Sequence, residues 1–302
     1  MDGVLQQSRL FAPTLKRESY DLVILFVRFF MASVPTHSLM PTWFIPHGGG
    51  PCFFMDWNPP DAWDKMADFL KNLHTSLPRQ PKAILMVSAH WLEPHVGVTS
   101  GFEPALIYDY FGFPPHTYEL TYPAPGHPSL AAEIVATLNA AGIPSAADPQ
   151  RGFDHGMFIP LILMFPQADI PVVQLSLHNS LDPQAHLKIG QALQGLREQD
   201  VLIIGSGMSF HNMRAYGNPK YSPISDVFDE WLTKAVLANP AEREQLLTDW
   251  AQAPHARDCH PLGAEEHLLP LMTVAGAAGQ DRGRKVFSDR VLATTLSGFA
   301  FG

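Results

Sequence analysis

The chain has 302 residues, of which 46% are hydrophobic and 11% aromatic, a composition that excludes wholesale disorder and suits one large domain or two small ones. Only 16% of the residues are charged and the formal net charge is −9, so no overall positive field exists to hold nucleic acid or an anionic membrane. Two cysteines, Cys52 and Cys259, are too few for a disulfide framework and fit a reducing compartment. We predict a cytoplasmic protein with no nucleic-acid or membrane partner.

The N-terminal segment differs from the rest of the chain. Its apolar run Leu22–Val34 is interrupted by Arg28, whereas a membrane-spanning helix needs about 20 predominantly apolar residues. Regular patterning begins only after Met40. We interpret residues 1–40 as an N-terminal extension and residues 41–302 as one domain, with a targeting segment or a docked helix as alternatives for the extension.

Hydrophobic patterning then predicts strands and helices in alternation. Short apolar runs with β-branched residues predict buried strands at Thr42–Pro46, Ala83–Ala89, Val96–Thr99, Val172–Leu177 and Val201–Gly205. Longer periodic stretches, several with proline near the start, predict helices at Pro60–Leu73, Pro128–Ala141, Pro183–Glu198, Ser225–Ala238, Ala241–Ala251 and Glu265–Ala277. This alternation predicts an α/β domain with a mainly parallel central sheet flanked by helices.

Histidines follow several of the predicted strands. His47 ends TWFIPH, His90 ends AILMVSAH, and His211 lies six residues after VLIIG. In open α/β sheets, ligands bind beyond the carboxyl ends of the strands, so we expect these side chains to converge in one crevice. His155 in FDHG and His267 in EEHLLP are the next candidates.

A cluster of histidines supports two kinds of chemistry. Neutral imidazole binds iron, zinc, copper and nickel, and its pKa near 6.5 also lets it exchange a proton near neutral pH. The crevice is therefore predicted to be a metal site, an acid–base site or both. A single histidine is more often structural, and the loop residues His116, His178 and His260 stay undecided between the two interpretations.

Several familiar catalytic motifs are absent from the sequence. GSGMSF carries Phe210 where a dinucleotide-binding fingerprint needs glycine, and GMSFH carries His211 in place of the last glycine of a nucleophile elbow. The chain contains no Walker A sequence, no HExxH and no CxxC. Nicotinamide enzymes, P-loop ATPases and the common zinc proteases are therefore disfavoured.

A set of sequence blocks resembles a known family. In chain order these are PHGGGP, KAILMVSAHW, FGFPPHTYELTYPAPGHP, GFDHGMFIPL, PVVQLSL, GSGMSFHNM and EEHLLPL. Together they resemble the LigB-like extradiol ring-cleavage dioxygenases, and most of all the DOPA 4,5-dioxygenase branch. The resemblance runs from about Pro41 to about Ala277 and does not include residues 1–40.

The resemblance implies a fold and a reaction. The fold is a single α/β domain with a non-haem metal at the strand ends, expected to be Fe(II) in the active enzyme, with Zn(II) as another possible occupant. The reaction inserts both atoms of O2 into a small aromatic diol, DOPA- or caffeate-like, and opens its ring. Matched residue by residue, the metal histidines are His47, His90, His211 and His267. A shifted register would instead make Glu266 the third ligand.

Further roles also come from the resemblance. His155 matches a pocket histidine and is the candidate acid–base catalyst, with His211 as its rival if His211 is not a ligand. Phe113, Tyr118 and Tyr122 lie in the loop that resembles the family's substrate side and are candidates for packing on the substrate ring.

Two other functions fit the same histidines. A zinc hydrolase could use them to activate water, and a non-enzymatic binding protein could retain the pocket without the chemistry. Dependence on dioxygen separates the first alternative from a dioxygenase, and bound metal separates the second. The sequence leaves open which catechol is cleaved, whether cleavage is at the 4,5 or the 2,3 bond, and the oligomeric state.

Overall fold

A mixed eight-stranded sheet forms the centre of the structure, a computed structural model that describes residues 38–302. The predicted extension therefore lies outside the described residues except for its last three positions. The strands of this sheet are β1 (Thr42–Pro46), β2 (Ala83–Glu93), β3 (Val96–Thr99), β5 (Ser145–Asp148), β7 (Val172–His178), β8 (Val201–Gly207), β9 (Gly283–Val291) and β10 (Thr294–Phe301). Two short strands, β4 (Leu106–Ile107) and β6 (Phe153–Asp154), pair separately.

The strand order is β5-β3-β7-β2-β8-β1-β10-β9. The four central strands, β7, β2, β8 and β1, run parallel to one another. Antiparallel pairs follow on either side, where β3 meets β7 and where β10 meets β1 and β9. The predicted α/β class is confirmed, and the sheet is mixed rather than purely parallel.

The predicted strands lie in this sheet, and the hairpin at its end was missed. The strands β1 and β3 have the predicted bounds, whereas β2, β7 and β8 begin at the predicted residue and extend further at their carboxyl ends. The hairpin β9–β10 was not predicted from the sequence. In β9 only every fourth residue is buried, at Gly283, Phe287 and Val291, so this strand lacks the continuous apolar run on which the strand predictions relied.

Helices cover the sheet. They are α1 (Asp64–Leu73), α2 (Pro128–Ala140), α3 (His155–Met164), α4 (Pro183–Leu193), α5 (Ser222–Leu237), α6 (Pro240–Thr248), α7 (Ala256–Cys259) and α8 (Leu269–Ala277). α3 was not predicted, because it is apolar and buried nearly all round and lacks an amphipathic period. Within residues 38–302, none of the helices has the length and apolar character to cross a membrane.

Neighbouring residues of β8 show that α8 and α3 lie on opposite faces of the sheet. A Cβ atom on Gly205 would lie 2.5 Å from the carbonyl oxygen of Pro270, in α8. The hydroxyl of the next residue, Ser206, donates to the carbonyl oxygen of Gly156, in α3. Because successive residues of a strand point to opposite faces, the sheet is covered on both sides here.

Candidate metal and substrate site

Three histidine nitrogens converge at the carboxyl edge of the parallel strands. His47 directly follows β1, His90 lies in β2, and His267 comes two residues before α8. The Nε2 atom of His90 lies 3.1 Å from Nε2 of His47 and 3.2 Å from Nε2 of His267. We call these residues the three-histidine group.

Sheet geometry brings two of these histidines together. β1 and β2 both pair in parallel with β8, so their carboxyl ends lie at the same edge. The pairing of β2 with β8 reaches Ser88, and the pairing of β2 with β7 shifts register between Val87 and Leu92. His90 lies within this irregular segment, where the strand leaves its regular ladder and the side chain can turn toward His47.

Hydrogen bonding determines which nitrogen of His47 carries the proton. The Nδ1 atom of His47 lies 3.0 Å from Oγ of Ser206. Because the Ser206 hydroxyl already donates to the carbonyl oxygen of Gly156, its oxygen must accept a hydrogen bond from Nδ1 of His47. The Nε2 atom of His47 is then an unprotonated lone pair that faces the other two histidines.

His267 has the same tautomer for a different reason. Its Nδ1 atom lies 2.8 Å from Oε1 of Glu266, so it donates to the carboxylate and leaves Nε2 free. Burial raises the pKa of Glu266. Nε2 of His267 faces His90, whereas the Glu266 carboxylate lies behind the ring of His267. The geometry therefore groups His267, and not Glu266, with His47 and His90.

The three-histidine group is suited to a metal ion. Burial, together with repulsion between the rings, holds the pKa of His47, His90 and His267 well below the usual value. The rings are therefore neutral, and the unprotonated Nε2 atoms of His47 and His267 both point toward Nε2 of His90. A cation bound between the rings would stabilise this arrangement. The ligand atoms of the group lie within 4.8 Å of one another.

Asp109 joins the three-histidine group to His155. Its Oδ1 atom accepts hydrogen bonds from Nδ1 and from the backbone N–H of His155, at 2.8 and 2.9 Å, while Oδ2 lies 3.6 Å from Nδ1 of His90. Partial burial opposes ionisation of Asp109, but the hydrogen bonds from His155 outweigh it, and the net pKa of the carboxyl is lowered. His155 therefore keeps its proton on Nδ1, and its Nε2 atom is free to accept one.

His211 lies against the group rather than in it. Its ring stacks on the ring of His267 with centroids 3.4 Å apart and planes 14° from parallel. Burial, with a smaller contribution from His155, lowers the pKa of His211 to about 4. The Nε2 contacts of the three-histidine group do not include His211, whereas a ligand atom of His211 lies within 4.8 Å of ligand atoms of Glu266 and His267. The role of His211 as a metal ligand stays a prediction.

A cavity of about 410 Å³ opens above these histidines. It is lined by His47, Gly48, Gly49, Gly50, Trp57, Trp63, His90, Tyr110, Phe111, Phe113, His155, Met208, His211, Met213, Tyr216, His267 and Leu292. Gly48 has a φ of 84°, and a Cβ there would lie 2.3 Å from Sγ of Cys52, so the tight PHGGGP turn below the cavity requires glycine at this position.

The three aromatic residues predicted to contact substrate lie in different places. Phe113 lines the cavity. Tyr118 is outside the lining and packs against Tyr110, with ring centroids 5.2 Å apart. Tyr122 is buried away from the cavity, and its hydroxyl donates to the carbonyl oxygen of Phe165 at 3.1 Å. Only Phe113 is therefore positioned to pack on a bound ring.

The undecided histidines do not line the cavity. His116 lies 2.9 Å through Nε2 from the carbonyl oxygen of Phe54. His178 contacts the hydroxyl of Ser180 at 2.8 Å. His260 is fully buried and lies 3.0 Å from the carbonyl oxygen of Ser209. Each of these imidazoles has a local hydrogen-bonding role.

Sequence reasoning missed the groups that orient the histidines. Asp109 lies in a loop, 46 residues before His155, and a single acidic loop residue carries no signal of its own. Ser206 belongs to GSGMSF and directly follows the predicted strand Val201–Gly205. Its place at the carboxyl end of a predicted strand was the available signal, because ligands in open α/β sheets bind beyond the carboxyl ends of the strands.

This structure defines an α/β protein with a histidine metal centre beneath an aromatic cavity. Residues 41–300 match the family described as the catalytic LigB subunit of aromatic ring-opening dioxygenase, and the chain belongs to this family. Members of the family are non-haem metal-dependent, and the resemblance drawn from the sequence blocks is confirmed.

Curated relatives agree with this assignment. A protein named Dioxygenase tasH from Hapsidospora irregularis is 38% identical, with 87% of this chain and 86% of that protein aligned. Proteins named 4,5-DOPA dioxygenase extradiol are 40% identical in Beta vulgaris, over 81% of this chain and 89% of that protein, and 37% identical in Escherichia coli K12, over 79% and 85%. The chain is therefore an extradiol ring-cleavage dioxygenase.

A solved structure shares the fold. The crystal structure of an uncharacterised protein from Escherichia coli K12 matches with a TM-score of 0.71 and 30% sequence identity. The match covers 87% of this chain and all of the other.

Proposed function

We propose that this enzyme opens the ring of a catechol, DOPA- or caffeate-like, by inserting both atoms of O2, with Fe(II) held by His47, His90 and His267. The observation that carries the proposal is the convergence of the Nε2 atoms of these residues at 3.1 and 3.2 Å. We assign catalysis to residues 41–302. The proposed cytoplasmic location rests on the two cysteines, which are free and buried.

The donor set favours a divalent transition metal. Neutral imidazoles bind both Fe(II) and Zn(II), so either ion can occupy the site. When bound, Fe(II) supplies Lewis acidity toward the catechol oxygens and the redox activity toward O2 that ring opening requires. Two carboxylates, Glu266 behind His267 and Asp109 near His90, partly compensate the charge that three neutral ligands leave on the ion.

His155 is the proposed acid–base catalyst. Asp109 holds the proton on Nδ1 of His155, and the free Nε2 atom is available to accept a proton from a catechol hydroxyl at the cavity floor. The same Nε2–H later returns the proton as the ring opens. The ring of His155 lies 3.9 Å from that of His90 between centroids, so the base acts beside the metal ligands.

His211 and Phe113 complete the proposed substrate site. His211 lines the cavity and stacks on His267, so we assign it to hydrogen bonding or proton exchange with the substrate rather than to the metal. Phe113 lines the cavity wall and offers an aromatic face for the substrate ring.

Oxygen uptake by metal-defined protein tests the proposal. The protein is stripped of metal, reloaded anaerobically with Fe(II) or Zn(II), and assayed with a panel of catechols. We expect uptake with a new yellow product for the iron sample alone, and mass analysis of the product identifies the bond that is cleaved. Absence of uptake with every catechol, despite one bound iron per chain, contradicts the proposal and favours the hydrolase or the binding protein.

A further inference from the structure

The walls of the active-site cavity carry no formally charged side chain among the residues that the structure describes. Among residues 38–302, no lysine, arginine, aspartate or glutamate lines the cavity. The walls are instead apolar or aromatic, formed by Trp57, Trp63, Tyr110, Phe113, Tyr216 and Leu292. A zwitterionic or anionic substituent therefore finds no charge partner on the walls.

Most polar groups of these walls already have partners. The Trp57 indole N–H donates to the carbonyl oxygen of Cys52 at 2.8 Å. The hydroxyls of Tyr110 and Tyr216 donate to backbone carbonyls at 2.6 and 2.7 Å. The Trp63 indole nitrogen has no partner but is itself shielded from solvent. The walls therefore present ring faces and edges to a ligand rather than free donors.

The mouth of the cavity is apolar as well. Phe111 is 90% exposed and Met213 is 70% exposed, and both line the cavity. Large apolar side chains that are exposed together at a cavity mouth mark a surface that a ligand covers. A substituent that leaves the diol at the floor and reaches these two residues buries its own apolar surface and theirs.

From this arrangement, and resting on the proposed function, we propose that the enzyme selects catechols with an uncharged, apolar alkyl or aryl substituent that extends from the ring to Phe111 and Met213. Within the DOPA- and caffeate-like catechols of the proposed function, we expect an uncharged, apolar substituent to be preferred over the amino-acid side chain of DOPA itself and the carboxylate of caffeate itself. These charged groups lose hydration without gaining a partner on the walls. Each methylene that becomes buried is expected to raise kcat/KM about fourfold.

A homologous substrate series tests the inference. The Fe(II)-loaded full chain is assayed by oxygen uptake with 4-alkylcatechols of increasing chain length, with L-DOPA and with caffeate. We expect kcat/KM to rise by about fourfold per methylene until the cavity is filled, and L-DOPA to lie at least about tenfold below a neutral alkylcatechol of similar length.

Two matched variants test whether the dependence of kcat/KM on chain length arises at the mouth of the cavity. Phe111→Ser is expected to flatten the dependence on chain length. Phe102→Ser is the control, because Phe102 is also exposed, at 77%, and does not line the cavity. Equal slopes in the two variants overturn the inference.

The outcomes separate this inference from the proposed function. Turnover that is independent of chain length, or fastest with L-DOPA, overturns the inference and leaves ring cleavage standing. Failure to cleave any catechol with iron bound overturns the proposed function and the inference together.

Discussion

The two oxygens of the Asp109 carboxylate contact two histidines of the site, with Oδ1 at 2.8 Å from Nδ1 of His155 and Oδ2 at 3.6 Å from Nδ1 of His90. One acidic side chain thus orients the proposed base and a proposed metal ligand together. The Oδ1 atom of Asp109 also accepts a hydrogen bond from the backbone N–H of His155 at 2.9 Å, which fixes the first residue of α3. Asp109 is therefore a positioning residue whose effect reaches both parts of the site.

Asp109→Asn is expected to lower kcat by about 10- to 100-fold, since it removes the charge that holds the proton on Nδ1 of His155. Metal content is expected to be retained, because the three Nε2 ligand atoms remain. Steady-state oxygen uptake and elemental analysis of the same preparation provide the two readouts. Asp68→Asn is the matched control, because Asp68 is exposed and pairs with Lys71 on the helix surface.

A double variant tests whether Asp109 acts through His155. If Asp109 acts through His155, then Asp109→Asn has little further effect on kcat in a His155→Ala background. Independent losses in the double variant would show that Asp109 acts elsewhere, and full activity of His155→Ala would remove His155 from the mechanism.

Glu266 and His267 are expected to differ sharply when replaced. His267→Ala should abolish stoichiometric metal binding, because it removes one of the three Nε2 donors. Glu266→Gln should weaken metal affinity by about 10- to 100-fold without abolishing binding, because it changes only the partner of Nδ1. Metal titration measures both, with His74→Ala as a control at an exposed histidine. Loss of metal in Glu266→Gln alone would make the carboxylate the ligand.

Gly207→Ala is expected to destabilise the fold by roughly 1–3 kcal/mol. A Cβ at this position would lie 2.1 Å from the carbonyl oxygen of His267. Because the backbone is tightly held at both residues, the added methyl group forces His267 to shift. Gly195→Ala is the matched control, because nothing lies within 4 Å of its added Cβ. Urea unfolding measures the difference, and equal unfolding free energies for the two variants would contradict the proposed clash.

His186 is expected to make stability depend on pH. Burial lowers the pKa of His186 to about 4, and its Nε2 atom accepts a hydrogen bond from the backbone N–H of His178. Between about pH 6.5 and 4 the unfolded chain binds this proton and the folded chain does not. The contribution of His186 to the free energy of unfolding should therefore fall by up to about 1.4 kcal/mol per pH unit as the solution is acidified through this range.

The variant His186→Gln keeps an acceptor near His178 and removes the titration. We expect its unfolding free energy to fall less steeply than that of the wild type between these pH values. His74→Gln, at an exposed position, should keep the wild-type slope. Parallel slopes for wild type and His186→Gln would contradict the assignment.

Local pattern was enough to find most of the central sheet. β1, β7, β8 and the first seven residues of β2 are nearly continuous buried runs rich in apolar residues, and such runs predict strands of a sheet covered on both faces. Strand β9 and the buried helix α3 were missed, because neither has the pattern that local reasoning uses. β10 was missed although seven of its eight residues are buried. Propensity and period are properties of a few neighbouring residues, so they fail where burial is decided by distant parts of the chain.

The sequence by itself determined that histidines stand at the carboxyl ends of strands, and with the family resemblance it predicted His47, His90, His211 and His267 as metal ligands. Only the tertiary structure decided which nitrogens meet, since His90 and His267 are 177 residues apart. It also stacked His211 on His267, brought Asp109 to His155, and placed Tyr122 away from the cavity. Strand ends follow from local pattern, whereas the direction of each side chain depends on register and on packing against elements far along the chain.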